Sequence, residues 1–508
     1  MKKVFSVILA LAIVFALAAP AANAESGKCT CGVNPTIYVG PLGNTDIYEN
    51  PGAENERILF RPETKSILGI VGKILPSLLL LPVFRNYDRF GTALINAVDD
   101  AMGAMALDGN GNSAPNVSVK LSKPTGSDHG INKDYYFHYD WRLDPVEVAA
   151  QLKDFVEKVK KLTRHDTVNF RASSMGGVVA MAYFNEYGYD DVDVCIFQCC
   201  PLLGTAVAGD LLCRKLKLDG RALYDYGTGA FPPADAEGFA LTLLFNILYY
   251  SGLVDVVMGA GEKILDKLQT RVFDELMTPV FGTLLGLWAF VPDDSYEQAK
   301  EINLDPEKQA GLIAKADYYH YNVQCKAKEI LNGAIESGTK IMIVAGYDIQ
   351  RTPLVESMTS DSDGTVDTKY ASAGATVAER GTTLGDGYVQ KIQDGHNHVS
   401  PDGRIDASTC ILPEYTWFIK GMLHANCHDG IRELYNWFAY SDEDLTVFSN
   451  PKFTQFLQND KPNLRVIALG NFADGAVPPT YEKINSVYTD VLAPAMAAVF
   501  GFVDKIKR

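Results

Sequence analysis

The stretch VNFRASSMGGVVAMAYFNEYG, residues 168–188, constrains the fold more than any other part of the chain. A β-branched and aromatic run enters Ser173-Ser174-Met175-Gly176-Gly177, and small apolar residues then follow at helical spacing. A strand joined to a helix through small-x-Ser-x-Gly needs a turn so tight that only small residues fit two places before and two after the serine. Ala172 and Gly176 meet that need for Ser174, whereas Ser173 would set Ala172 and Met175 at the wrong offsets. The turn projects the hydroxyl off the sheet edge, and the helix N-terminus behind it favours a developing oxyanion. The pattern is only five residues long, so a serine capping an ordinary helix is the plainer reading, and the surroundings must decide.

Strands and helices alternate around this stretch. PTIYVG (35–40), NVSVKL, YYFHYDW, TVNFRAS, DVDVCIFQCC (191–200), KIMIVAG (340–346) and EYTWFIKG (414–421, a last short strand) read as strands. Residues 86–106, 175–187, KAKEILNGAIESG (326–338) and DGIRELYNWFAYS (429–441) read as helices. The clearest helix runs from Asp144 to Leu162. Asp144 is its N-cap, Pro145 its first residue, and Val148, Leu152, Phe155, Val159 and Leu162 share one face. Strands separated by helices imply a mostly parallel sheet covered on both faces, an α/β architecture.

The alternation breaks at roughly 204–325, which reads as a mainly helical cap insertion. The expected organisation is a signal peptide (1–24), a core in two parts (25–203 and 326–441) around that cap, and a C-terminal extension (442–508). Residues 74–84, 238–254 and 276–292 lack charge, yet each is shorter than the roughly 20 residues that span a bilayer. They read either as buried core or as cap faces that line an acyl-chain pocket or touch lipid. The segment 491–508 is likewise too short to span, and reads as a packed or interfacial helix.

The opening MKKVFSVILALAIVFALAAPAANAES has two lysines, an apolar stretch and an Ala22-Asn23-Ala24 site, the pattern of a secretory signal cleaved after Ala24. The expected location is therefore outside the cell or in its envelope. With 62 acidic against 46 basic residues, the surface repels nucleic acid and anionic lipid at long range. Substrate capture is then local and apolar. Export permits disulfides, and nine cysteines leave an odd thiol. No four-cysteine spacing of the structural zinc kind appears, and no cofactor is expected. DGNGNS (108–113) starts like a calcium loop, but Ser113 and Val119 stand where Gly and Glu belong, so it reads as a turn.

A nucleophilic serine needs a base, and the base an orienting carboxylate, in the chain order Ser, acid, His. The acid should follow KIMIVAG. There Asp363 in SDSDGTV stands first, Asp361 is its close rival, and Asp386 a distant one. His129, His138, His165 and His320 precede Asp363, which leaves His396, His398, His424 and His428. His424 lies between the strand 414–421 and the helix 429–441, with His428 and His398 as alternatives. The pairs His396/His398 and His424/His428 also admit a metal reading. The oxyanion donors should be the backbone N–H of Met175 and one from the turn after the first strand, Leu42 or Gly43, because Pro41 has none.

YDWRLD (139–144), the 168–188 stretch, CCPLLGTAVAGD, LWAFVPDDSYEQAK, SDGTV and WFIKGMLH follow one another as in the lecithin:cholesterol acyltransferase-like α/β hydrolases. The resemblance covers roughly 35–440. It implies an α/β-hydrolase fold and a lipase- or acyltransferase-like activity on a lipid ester, as in a secreted bacterial member, without a cofactor. It places the triad on Ser174, Asp363 and His424, and the oxyanion turn on Gly40-Pro41-Leu42-Gly43. Asp140 and Arg142 read as a structural pair beside the site. The chain departs from the pattern at Gly40-Pro41, where Pro-Gly is usual, at Ala172, where Gly is usual, and at Arg171, which intrudes in the strand. A buried arginine needs a carboxylate partner or an exposed head. Those departures define the alternative, a degenerate hydrolase kept as an extracellular binding or envelope protein.

Overall fold

The computed structural model describes residues 28–61, 73–74, 76–77, 86–230, 267–351, 353–441, 443 and 445–470. The signal-like opening, the stretch 238–254, most of 74–84 and the segment 491–508 lie outside the described residues.

The centre is an eight-stranded sheet. Its strands are β1 (Thr36–Val39), β5 (Asp134–Phe137), β6 (Val168–Ser173), β7 (Val192–Gln198), β8 (Lys340–Tyr347), β11 (Thr416–Lys420), β12 (Phe456–Asp460) and β13 (Arg465–Ala468), in the order β13-β12-β11-β8-β7-β6-β1-β5. Between them in sequence, β2 (Ile47–Glu49), β3 (Arg57–Phe60) and β4 (Val117–Val119) form a separate antiparallel sheet, and β9 (Thr376–Val377) pairs with β10 (Ile405–Asp406). Every central pairing is parallel except β12 with β13. The expected α/β architecture is therefore present.

Four helices frame the central strands, α2 (Pro145–Thr163), α3 (Met175–Tyr187), α4 (Ala327–Glu336) and α5 (Asp429–Tyr440), while α1 (Tyr87–Met102) packs through Phe90 and Ile95 on Leu268, Leu276 and Val280 of the insertion. Alternate residues of a strand face opposite sides. Ile341 and Ile343 of β8 pack in one apolar cluster with Val148, Leu152, Val178, Ile330 and Leu331 of α2, α3 and α4. Met342 and Val344 pack in another with Ile431, Leu434 and Phe438 of α5. Asp144 caps α2 as expected, its carboxylate accepting the Val146 N–H at 3.0 Å.

One expectation is corrected, and two readings gain their place in the fold. NVSVKL is a strand as expected, and it supplies β4 to the small sheet. EYTWFIKG is not the last strand, because β12 and β13 follow it and continue the same sheet; residues 456–468 thus belong to the core and not to an extension. The insertion is mainly helical in its described part, and 276–292 is buried core, the first of its two readings. Leu284, Leu285, Trp288 and Val291 are buried in the same cluster as α2 and α3. Among the described residues, no helix is long and apolar enough to cross a membrane.

Candidate active site

Ser174 sits between β6 and α3 with φ 53° and ψ −120°, a conformation that side-chain-bearing residues avoid. The surrounding packing holds it there. Its N–H donates to the Gln198 carbonyl at 3.0 Å, and its own carbonyl accepts from Gly177 N–H at 2.9 Å. A Cβ on Gly176 would collide with the Val39 carbonyl, and one on Gly177 with the Cys200 side chain. The two glycines let β1, β7 and the helix start converge on the serine. Ser173, by contrast, is a buried strand residue with ordinary geometry.

Two loops reach Ser174 from distant sequence. Asp363 lies beyond β8 and is completely buried. Its Oδ1 accepts the backbone N–H groups of Thr365 and Val366 at 2.9 and 2.8 Å, which leaves Oδ2 to face His424 Nδ1 at 2.8 Å. His424 lies beyond β11, and its main-chain N–H donates to the Asp363 carbonyl at 2.9 Å. Its Nε2 lies 2.8 Å from Ser174 Oγ. An ionised carboxylate can only accept, so Nδ1 carries the proton and a neutral ring offers the Nε2 lone pair to the hydroxyl. Burial alone would depress the His424 pKa. The charge of Asp363 and its hydrogen bond outweigh it, and the net direction is upward from the ordinary histidine value.

The turn after β1 lies against this centre, because the Val39 and Gly40 carbonyls are what a side chain at Gly176 would strike. Tyr139 Oη donates to the Gly40 carbonyl at 2.6 Å. Asn44 N–H closes the turn on the Pro41 carbonyl at 3.1 Å, with Gly43 at φ 80°. Leu42 is thus the first central residue of a turn whose second central position needs a positive φ. Met175 opens α3, so its N–H belongs to the first-turn amides that find no partner within a helix.

The rival residues are engaged elsewhere. Asp361 accepts the Asp348 N–H at 2.6 Å and pairs with Arg404 at 2.9 Å, while burial pushes its carboxyl up to about 6. Asp386 lies in an exposed loop. His398 is fully buried between Asp394 (2.8 Å) and Gln455 (2.8 Å). His428 caps α5 through Gly430 N–H and meets Asn459 at 2.7 Å. Among the described residues, neither His396/His398 nor His424/His428 belongs to a cluster of three or more metal-type ligands. Asp108 accepts the N–H groups of Asn110 and Asn112, so DGNGNS is a side-chain-closed turn.

Arg142 is fully buried and pairs with Asp140 through two contacts, 3.0 and 2.6 Å, while also holding the Met105 carbonyl and Ser113. Its own carbonyl accepts the N–H of Gly286 at 3.1 Å, which ties the insertion to the elbow region. Arg171 has the carboxylate partner that its position demanded. Its guanidinium donates to Asp134 on β5 and stacks over Tyr38, 4.8 Å from the ring centre.

No family model matches the chain, and no curated protein matches it. A solved structure described as "The crystal structure of Tle4-Tli4 complex" is similar over 67% of this chain and 89% of that chain, with 12% sequence identity and a TM-score of 0.27. At that level the likeness carries no argument about activity.

Proposed function

We propose that the protein is an exported serine hydrolase of the α/β-hydrolase type, which cleaves or transfers the acyl group of a lipid carboxylic ester. The observation that carries this reading is the relay Ser174–His424–Asp363, built on a serine held at positive φ. His424 Nε2 takes the Ser174 proton as Oγ attacks the ester carbonyl. Asp363 holds the ring in the productive tautomer and offsets the imidazolium charge. The carbonyl oxygen becomes an oxyanion beside the Met175 N–H and the Leu42 turn. As the tetrahedral centre collapses, His424 returns the proton to the departing alcohol, leaving an acyl-Ser174 ester. Water or a second alcohol then attacks that ester with His424 again as base.

The lipid preference rests on the family resemblance and on the uncharged stretches of the insertion. Gly286 packs against Met175 and the Trp141 carbonyl, so an apolar, buried part of the insertion adjoins the elbow. Arg171, the strongest clue to a degenerate site, is paired, which removes most of the support for a pure binding protein.

The test is fluorophosphonate labelling of the purified chain beside Ser174→Ala and Ser173→Ala. Labelling lost in Ser174→Ala alone is the expected result. Equal labelling of all three proteins, or none in any, would overturn the reading. A chain-length series of esters then addresses the lipid preference, which fails if activity is flat or favours short acyl groups.

A further inference from the structure

Three segments far apart in sequence meet beneath the sheet. Cys29 and Cys31 precede β1, His129 precedes β5, and His165 follows α2 and precedes β6. Strands β6, β1 and β5 are neighbours, so the four side chains gather at the ends opposite Ser174. One ligand atom from each lies within 4.8 Å of all the others. The Cys31 sulfur is 3.3 Å from His129 Nε2 and 3.4 Å from His165 Nε2. The two imidazole rings stand edge to face, their centres 4.4 Å apart.

The four groups also have the chemistry of a metal ligand set. His129 Nδ1 lies 3.1 Å from the Ser127 carbonyl, which can only accept, so in the neutral ring the proton is on Nδ1. Its Nε2 then has a lone pair and nothing to give to sulfur. A Cys31 thiol can give its proton to His129 Nε2 and accept from His165 Nε2, and His165 Nδ1 is then left buried without a hydrogen-bond partner. A cation at the centre would use all four atoms together, each as an electron-pair donor. The distances agree: tetrahedral zinc bonded at about 2.3 Å to sulfur and 2.0–2.1 Å to nitrogen has S···N edges near 3.5 Å. The Ser127 carbonyl is the kind of partner that fixes a ligand histidine's tautomer and ring orientation. A backbone bond from Cys29 N–H to the Arg164 carbonyl, 2.8 Å, sets the first ligand beside His165.

We propose that Cys29, Cys31, His129 and His165 form a Cys2His2 site for a structural zinc ion that ties the N-terminal segment to the bases of β5 and β6. Four protein ligands close the coordination sphere and leave no position for substrate. All nine cysteines are free thiols in the structure, so no disulfide competes for this pair. The assignment is independent of the chemistry at Ser174.

The experiment is metal analysis of the purified full chain, with cobalt substitution. About one zinc per chain is expected. Cobalt should give the intense visible bands of a tetrahedral ion and a thiolate charge-transfer band. Cys29→Ser with Cys31→Ser, and separately His129→Ala with His165→Ala, should abolish stoichiometric zinc. A chelator should lower Tm in the unaltered chain and not in the variants, because binding to the fold is part of the folding free energy. Zinc retained in both variants would overturn the site, as would a Cys29–Cys31 disulfide, or no zinc uptake by the reduced chain. The cobalt spectrum needs no substitution, so an octahedral spectrum without the thiolate band decides against it even where the variants fail to fold.

Discussion

His424 Nε2 lies 2.8 Å from Ser174 Oγ, although 250 residues separate them. The contact exists because β6 and β11 are parallel members of one sheet, whose carboxyl ends open into the two loops that hold these residues. On the far side of the ring, Asp363 Oδ2 is the only oxygen of its carboxylate facing His424, the other being held by two amides. Asp363→Asn keeps that shape but presents an amide where Nδ1–H needs an acceptor, favouring the wrong tautomer. Labelling at Ser174 should slow by about 10³–10⁴-fold, as in other serine triads. His424→Ala should lose a similar factor, because the general base is gone. An Asp363→Asn protein that labels at the original rate would remove Asp363 from the relay.

The pH dependence follows from the same pair. His424 must be neutral to accept the serine proton, and its pKa is raised because Asp363 outweighs the effect of burial. Activity is therefore absent at low pH and rises as pH passes through a value above the ordinary histidine pKa of about 6.5. Inactivation by a fluorophosphonate, followed from pH 5 to 9, should show one ionisation on the acid side. A midpoint at or below 6.5 would contradict the assigned influence of Asp363.

Much of this centre was legible because its signals are local. Ala172-x-Ser174-x-Gly176 marks a turn by steric necessity, and the order Ser, acid, His leaves few histidines downstream. The pairing of Arg171 was also legible in outline: a charge in a strand needs a partner, although only the fold names Asp134. What escaped the sequence depends on assembly. β12 and β13 carry no strong alternating pattern and follow a helix, so nothing local announced that they extend the sheet. Cys29, Cys31, His129 and His165 lack any metal-type spacing, because the three strand ends bring them together. The burial of 276–292 could not be distinguished from an exposed apolar lid by composition alone.

The pair Arg171–Asp134 gives a stability prediction. The two side chains are 15% and 12% exposed, so each depends on the other for compensation. Asp134→Ala strands a guanidinium near the sheet edge and should cost about 3 kcal/mol, the lower end for breaking a buried pair. Arg171→Met combined with Asp134→Leu should recover most of that, because two apolar groups need no partner. Chemical denaturation of the three proteins measures both steps. A double variant no more stable than Asp134→Ala would show that the two charges do not compensate each other.

Gly176 tests how closely the elbow is packed. The Val39 carbonyl occupies the place of any side chain there, and it belongs to backbone that cannot swing aside. Gly176→Ala should therefore lower stability by about 1–3 kcal/mol, in the range for overpacking. It should also reduce labelling at Ser174, since relief requires β1 and the Leu42 turn to move away. If the variant labels as the parent does, with unchanged stability, the approach of β1 is looser than the distances indicate.

The sharpest separation of stability from activity lies at Ser174 itself. At φ 53° and ψ −120° any side chain is strained, by about 1–3 kcal/mol, and glycine is not. Ser174→Ala and Ser174→Gly should both abolish labelling, for neither has a nucleophile. They should differ in stability in an unusual direction. Glycine normally costs more than alanine because it loses more backbone entropy on folding, by roughly 0.5–1 kcal/mol. Here relief of the left-handed backbone should outweigh that loss, so Ser174→Gly should unfold at a higher urea concentration than Ser174→Ala. The reverse order would mean that the turn is not strained, and that the serine is placed by its neighbours at little conformational cost.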